Sequence, residues 1–186
     1  HTCPNFNVRI VRKEIDRINQ KFRFQNSYQK VADYLQFEES KLPSTSSKLY
    51  KASRLFEYIE AMHSQGTDNT FPTNSDAYRE LEMTHQAYIM TIIANPEMLN
   101  LLNSPLFNLI LANILDIKNR SDSGLEINKK ITVYVGHKKF ILGILNFLGL
   151  YKPECAYTPY TDDTEPPKTC VEFPSPGASI LLEFYR

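Results

Sequence analysis

The chain has no excess of either charge sign, no long uninterrupted apolar run and only three cysteines. Its 21 lysines and arginines balance 21 aspartates and glutamates, whereas a surface for nucleic acid or anionic membrane carries a clear basic excess. His137, Lys138 and Lys139 interrupt the longest apolar stretch, so no segment has the length that crosses a bilayer. We therefore predict no nucleic-acid partner and no membrane span, and we expect any functional site to be local.

The cysteines are too few for a disulfide framework, but two of them flank a polar, proline-rich loop. A single bridge between Cys155 and Cys170 would close that loop and would require an oxidising compartment. The alternative is two unpaired thiols, because the sequence does not give the distance between them. Cys3 would be left to pair with another segment or to stay free. The glycosylation acceptor at residues 119–121 agrees with secretion.

Most of the sequence before residue 119 carries apolar residues at helical spacing. With 186 residues, of which 42% are hydrophobic, the chain can bury one sizeable core or supply part of a larger one. Ser46 or Ser47 is an expected helix N-cap, and Ser104-Pro105 is the expected start of a buried helix. The sequence predicts a helical region over residues 1–118 and a polar linker over residues 119–130. The apolar stripes lie within residues 8–22, 28–35, 49–62, 75–95 and 106–115.

After residue 130, a short β-branched and apolar run turns abruptly into a helical pattern. Residues 131–135 are typical of a buried strand, and the apolar residues from Phe140 to Leu148 fall at helical spacing. His137 stands at the turn. The free backbone N–H groups of a helix start, with Lys138 and Lys139 beside them, suit an anion such as phosphate. The alternative is that His137 only ends a strand and that the lysines are a solvated helix start.

A second strand is predicted at the end of the sequence, over residues 178–186. Two strands do not make a stable sheet, and a fully buried strand needs neighbours on both sides. We therefore interpret residues 131–186 as strand, helix and strand of an α/β domain. The remaining strands would come from another polypeptide or from a missing N-terminal segment, which we expect because the sequence begins at His1 without an initiator methionine.

Three motifs in this order resemble the histidine acid phosphatases of the lysosomal and prostatic type. They are Cys3-Pro-Asn-Phe6, Gly136-His137 opening an apolar helix, and the closing run Pro176-Gly-Ala-Ser-Ile-Leu-Leu-Glu183-Phe-Tyr. The resemblance covers nearly the whole chain and matches the C-terminal half of that family. It implies an α/β fold with a mostly helical cap, whose sheet is completed by the N-terminal half. It also implies phosphomonoester hydrolysis through a phosphohistidine, in the lysosome or outside the cell.

Two departures from the family pattern bear on catalysis. The family's nucleophilic histidine lies in an Arg-His-Gly-x-Arg motif, which is not present in these residues. His137 matches the second active-site histidine, which donates to the phosphate, but Lys138 stands where the family has the aspartate that protonates the leaving group. An ammonium holds its proton too tightly at acidic pH to replace a carboxylic acid, so we expect a loss of about a hundred-fold to ten-thousand-fold in rate. Its positive charge could still bind phosphate.

No metal signature is visible, and we predict no cofactor. His63 and His85 lie on predicted helices without a second ligand at metal spacing. We interpret these two histidines and the terminal His1 as surface or capping residues.

Three hypotheses follow for the function of the chain. The first is a catalytically impaired relative of the acid phosphatases that serves as a structural or interaction subunit. The second is an active phosphomonoesterase when the chain is paired with its N-terminal half. The third is a phosphate-binding module that uses His137, Lys138 and the helix N-terminus without turnover.

Overall fold

The computed structural model describes residues 8–43, 46–66, 71–127 and 131–183, without the side chains of residues 8–10 and 102. Within these residues the protein is all-α, with 63% of them in helices. The described ranges hold seven α-helices and one 3₁₀ turn, Glu39–Lys41. The α-helices are α1 (Val8–Asn19), α2 (Gln25–Tyr34), α3 (Lys48–Ser64), α4 (Asp76–Ile93), α5 (Pro96–Asp122), α6 (Lys138–Phe147) and α7 (Pro153–Asp162).

The predicted α/β fold class is wrong, because neither predicted strand forms within the described residues. Ile131, Val133 and Val135 are 81%, 75% and 95% exposed instead of buried. A strand is held by hydrogen bonds to a neighbouring strand, and within the described chain residues 131–135 and 178–183 form no strand. The described residues do not include His1, Cys3 or residues 184–186. The apolar run was therefore a sign of apolar surface and not of a buried sheet.

Short polar side chains fix the starts of α3 and α4. Ser47 Oγ accepts a hydrogen bond from the Tyr50 amide at 3.1 Å, and Ser75 Oγ accepts one from the Tyr78 amide at 3.2 Å. Each bond satisfies one of the N–H groups that a helix start leaves without a partner. The predicted cap at Ser46 or Ser47 is thus confirmed at Ser47.

The start predicted for the fifth helix is wrong by about two turns. The helix begins at Pro96, where Asn95 Oδ1 accepts from the amides of Glu97 and Met98 at 2.9 and 3.2 Å. It continues through Pro105, and Ser104 Oγ donates back to the Asn100 carbonyl instead of capping a new helix. The expectation of a buried helix is also wrong, since the leucines of its second half are about half exposed: Leu109, Leu111 and Leu115.

Helix α4 lies at the centre of the described structure and packs against each of the other six α-helices. Its buried residues Leu81, Ala87, Ile89, Met90 and Ile93 belong to three adjoining apolar clusters. One cluster joins α4 to α2 and α3, another to α6 and α7, and the third to α1 and α7. Burial of a large apolar side chain contributes about 1.5–3 kcal/mol, so α4 organises the core.

A glycine positions α6, and a disulfide positions the segment after α7. Gly143 of α6 faces the buried Asn103 of α5 so closely that any Cβ would overlap the amide. Cys155 of α7 and Cys170 form a disulfide with their Cα atoms 5.7 Å apart. The glycine brings α6 against α5, and the disulfide holds the segment that carries Phe173. No helix in the described ranges is long and apolar enough to span a membrane.

Candidate functional site

His137 is the N-cap of α6, as the predicted helix start requires. Its Nδ1 accepts a hydrogen bond from the Lys139 amide at 3.4 Å, so the ring itself uses one of the N–H groups proposed for an anion. Burial of the ring lowers the pKa of His137, and the charge of Lys139 acts in the same direction. A neutral imidazole is therefore favoured at this turn near neutral pH.

The Lys138 side chain lies between α3 and the segment after the disulfide. Its ammonium forms an ion pair with Glu60 of α3, and the two side chains are 11% and 17% exposed. The same ammonium lies 5.9 Å from the ring centroid of Phe56 and 5.5 Å from that of Phe173. Aromatic faces at this distance attract a cation. The lysine predicted to bind phosphate thus already has a carboxylate partner.

His85 is fully buried on α4, so its interpretation as a surface or capping residue is wrong. Its Nδ1 lies 2.9 Å from Ser53 Oγ, and its ring stacks on Phe56 with centroids 5.1 Å apart. Burial lowers the pKa of His85 well below its ordinary value, and the charge of Lys138 adds to the effect. His85 is therefore a neutral core residue. Its spacing of four from the apolar residues Leu81 and Ile89 was a sequence signal for this position.

His63 lies on α3 at the edge of a surface cleft and is partly exposed. Its Nε2 is 2.9 Å from the Phe71 carbonyl, and its ring is parallel to that of Tyr78 with centroids 5.8 Å apart. These contacts fix the ring.

The cleft, here called the α3–α4 cleft, has a volume of about 360 Å³. Phe56, Tyr78 and Phe173 supply aromatic walls, and Glu60 and Glu82 supply carboxylates. Burial raises the pKa of Glu82, a hydrogen bond with Gln86 opposes this, and the charge of Glu60 raises it further. Two carboxylates disfavour a phosphate group in this cleft.

Sequence reasoning missed Glu60 and Glu82 as parts of the site. Glu60 and Lys138 are 78 positions apart, so no local sequence pattern shows that their side chains meet. The sequence did predict the turn at His137 and Lys138, and the structure places this turn beside α3 and α4.

The described ranges contain no group of three or more His, Cys, Asp or Glu side chains that could hold a metal ion. No family model, no curated protein and no solved structure matches the chain. The resemblance to the histidine acid phosphatases accordingly rests on the motifs of this sequence.

Proposed function

We propose that this chain is the C-terminal portion of a histidine acid phosphatase-like protein that is catalytically impaired and serves as a structural or interaction subunit. The ion pair between Lys138 and Glu60 carries the proposal. A general acid must come within hydrogen-bond reach of the leaving oxygen. At the position that matches the family acid, this protein has an ammonium that is paired with a largely buried carboxylate and lies near the rings of Phe56 and Phe173.

The apolar surface of residues 131–135 supports a role in interaction. Ile131, Val133 and Val135 are 81%, 75% and 95% exposed, and large apolar patches on a protein surface commonly mark interaction sites. The proposed partner is the N-terminal half of the same protein or another protein subunit. The Cys155–Cys170 disulfide supports a secretory, lysosomal or extracellular location, where disulfides persist.

The acidic lining of the α3–α4 cleft weighs against the third hypothesis, a phosphate-binding module. Glu60 and Glu82 line the cleft, and the Lys138 ammonium that would attract an anion is neutralised by Glu60. Phosphate affinity that decreases in His137→Ala, without hydrolysis, would restore that hypothesis.

The first experiment maps the protein from its native source by mass spectrometry of peptides that precede His1. A peptide containing Arg-His-Gly-x-Arg would supply the nucleophile that the family chemistry needs. Its absence from the mature protein would leave a binding or structural role and would contradict the active phosphomonoesterase.

The second experiment tests the acid position in the protein assembled with its N-terminal half. We expect little hydrolysis of p-nitrophenyl phosphate by the wild type. The double variant Glu60→Gln/Lys138→Asp restores the acid without a facing carboxylate, and kcat should rise about a hundred-fold or more. Glu60→Gln/Lys138→Asn is the matched control and should stay inactive. Wild-type turnover equal to that of the Asp variant would contradict catalytic impairment.

A further inference from the structure

The α3–α4 cleft has one carboxylate whose charge is not balanced by an ion pair. Lys138 neutralises Glu60, but in the described part of the chain no lysine, arginine or histidine forms an ion pair with Glu82. The charge of Lys138 and, less strongly, that of the exposed Arg79 act on Glu82 from a distance, but neither side chain forms an ion pair with it. A half-buried anion without a cation is unfavourable, and a cationic ligand would remove that cost.

Gln86 lies one helical turn after Glu82 on α4, and a buried residue fixes its side chain. The buried Tyr151 donates from its hydroxyl to Gln86 Oε1 at 2.9 Å, which leaves the amide NH₂ of Gln86 to donate toward Glu82. A hydrogen bond with Gln86 lowers the pKa of Glu82 and so favours its ionised form. The amide of Gln86 is therefore held in one orientation before a ligand binds.

The aromatic walls of the cleft already hold one cation. The Lys138 ammonium lies 5.5–5.9 Å from the ring centroids of Phe173 and Phe56, with a carboxylate as its partner. Tyr78 and Phe173 line the same cleft as Glu82. Burial raises the pKa of Tyr78, and the charges of Glu82 and Glu60 raise it further, which agrees with a negative potential in the cleft.

We propose that the α3–α4 cleft binds the primary ammonium group of a small alkylamine. The ammonium donates hydrogen bonds to the Glu82 carboxylate, and the alkyl chain lies against Tyr78 and Phe173. The volume of about 360 Å³ is at the lower end of the range for small-molecule pockets. The proposed amine site is inferred from the cleft alone and does not depend on the family resemblance. Failure of either proposal therefore leaves the other intact.

The test titrates the full chain with n-butylammonium and follows the ring resonances of Tyr78 and His63 by NMR. We expect saturable shifts in the millimolar range and a Kd about tenfold higher in Glu82→Gln, because a charge-assisted contact becomes a neutral one. Glu165→Gln removes the same charge from an exposed loop residue outside the cleft and should leave the Kd unchanged. The neutral 1-pentanol, of similar length, should bind at least tenfold more weakly.

Three results would overturn the proposal. They are no saturable shift with n-butylammonium, the same Kd in the wild type and Glu82→Gln, and tighter binding of inorganic phosphate at the same resonances. Phe173→Leu provides a second variant that keeps the charge and removes one aromatic face. Its Kd should rise about threefold or more, and an unchanged Kd would also count against the site. Circular dichroism confirms that each variant is folded.

Discussion

At the scale of the residue, the neighbours of Lys138 determine which interactions its ammonium group makes. Its ammonium requires a carboxylate once it is largely removed from water, and Glu60 provides one. The ion pair fixes the ammonium of the first residue of α6 against α3. The same lysine stacks against Phe56 and Phe173, so charge and packing depend on each other here.

Removal of the lysine should be costly to folding. Lys138→Met leaves the Glu60 carboxylate largely buried without its cation, and we expect the free energy of unfolding to fall by about 3 kcal/mol. Urea denaturation at pH 7 measures this. The double variant Glu60→Gln/Lys138→Met should recover much of the loss, because no charge is left unpaired. Equal stability of the wild type and Lys138→Met would contradict a strong pair.

His85 should make the protein sensitive to acid. Its pKa is lowered in the folded state, so below the ordinary histidine value of about 6.5 the unfolded chain takes up a proton that the folded chain does not. The stability is therefore fully present above about pH 6.5 and decreases as the pH falls. In His85→Gln, the unfolding free energy should change less between pH 7 and pH 5 than in the wild type.

The control for this prediction is His137→Asn. Asparagine is a good N-cap, so this variant keeps the start of α6 and removes only the titration of His137. It should retain the part of the pH dependence that comes from His85. The raised pKa of Glu82 acts in the opposite direction, since it favours the folded state as the pH falls. For that reason the difference between wild type and variant is the quantity to compare.

At the scale of the element, the sequence predicts a helix well where a cap and a stripe coincide. Ser47 and Ser75 precede apolar stripes, and α3 and α4 begin directly after them. Helix α7 was missed because it is short, has a weak stripe and contains Pro159. Residues 131–135 were misread because an apolar run has the same composition in a buried strand and in exposed surface. Only the presence or absence of a neighbouring strand distinguishes them.

Helix α5 offers a direct test, since it continues through a proline. Pro105 has no N–H to donate within the helix, and its ring crowds the preceding turn. Pro105→Ala restores the donor and should raise the free energy of unfolding by roughly 1–3 kcal/mol. Thermal unfolding followed by circular dichroism measures the change. A lower melting temperature in this variant would show that the proline contributes packing that outweighs its cost to the helix.

At the scale of the whole molecule, the candidate site depends on contacts that no local pattern contains. Glu60, Glu82 and Lys138 lie on three different helices, and the packing of α3 and α6 against α4 brings them together. The loop with Phe173 joins them because a disulfide holds it to α7. The sequence could propose Cys155 and Cys170 as a pair, but the distance between them follows only from the fold.

The disulfide should contribute to the stability of the whole chain. It joins residues separated by 15 positions. Closing a loop of this length lowers the conformational entropy of the unfolded state and so raises the free energy of unfolding by about 3 kcal/mol. Cys155→Ser/Cys170→Ser should therefore unfold at a lower urea concentration than the oxidised wild type. Adding a reducing agent should lower the wild-type midpoint and leave the variant unchanged. A variant as stable as the wild type would contradict a structural role for the bridge.

The central position of α4 has a consequence for how the protein opens. Because this helix packs against each of the other described α-helices, its backbone amides become accessible to solvent only when most of the molecule unfolds. Amide hydrogen exchange should then be slowest in α4 and should report the global unfolding free energy there. The exposed residues 131–135 should exchange within the shortest labelling time. A partner bound to that surface would slow them, so the exchange rate of this one segment would locate the partner without any knowledge of its identity.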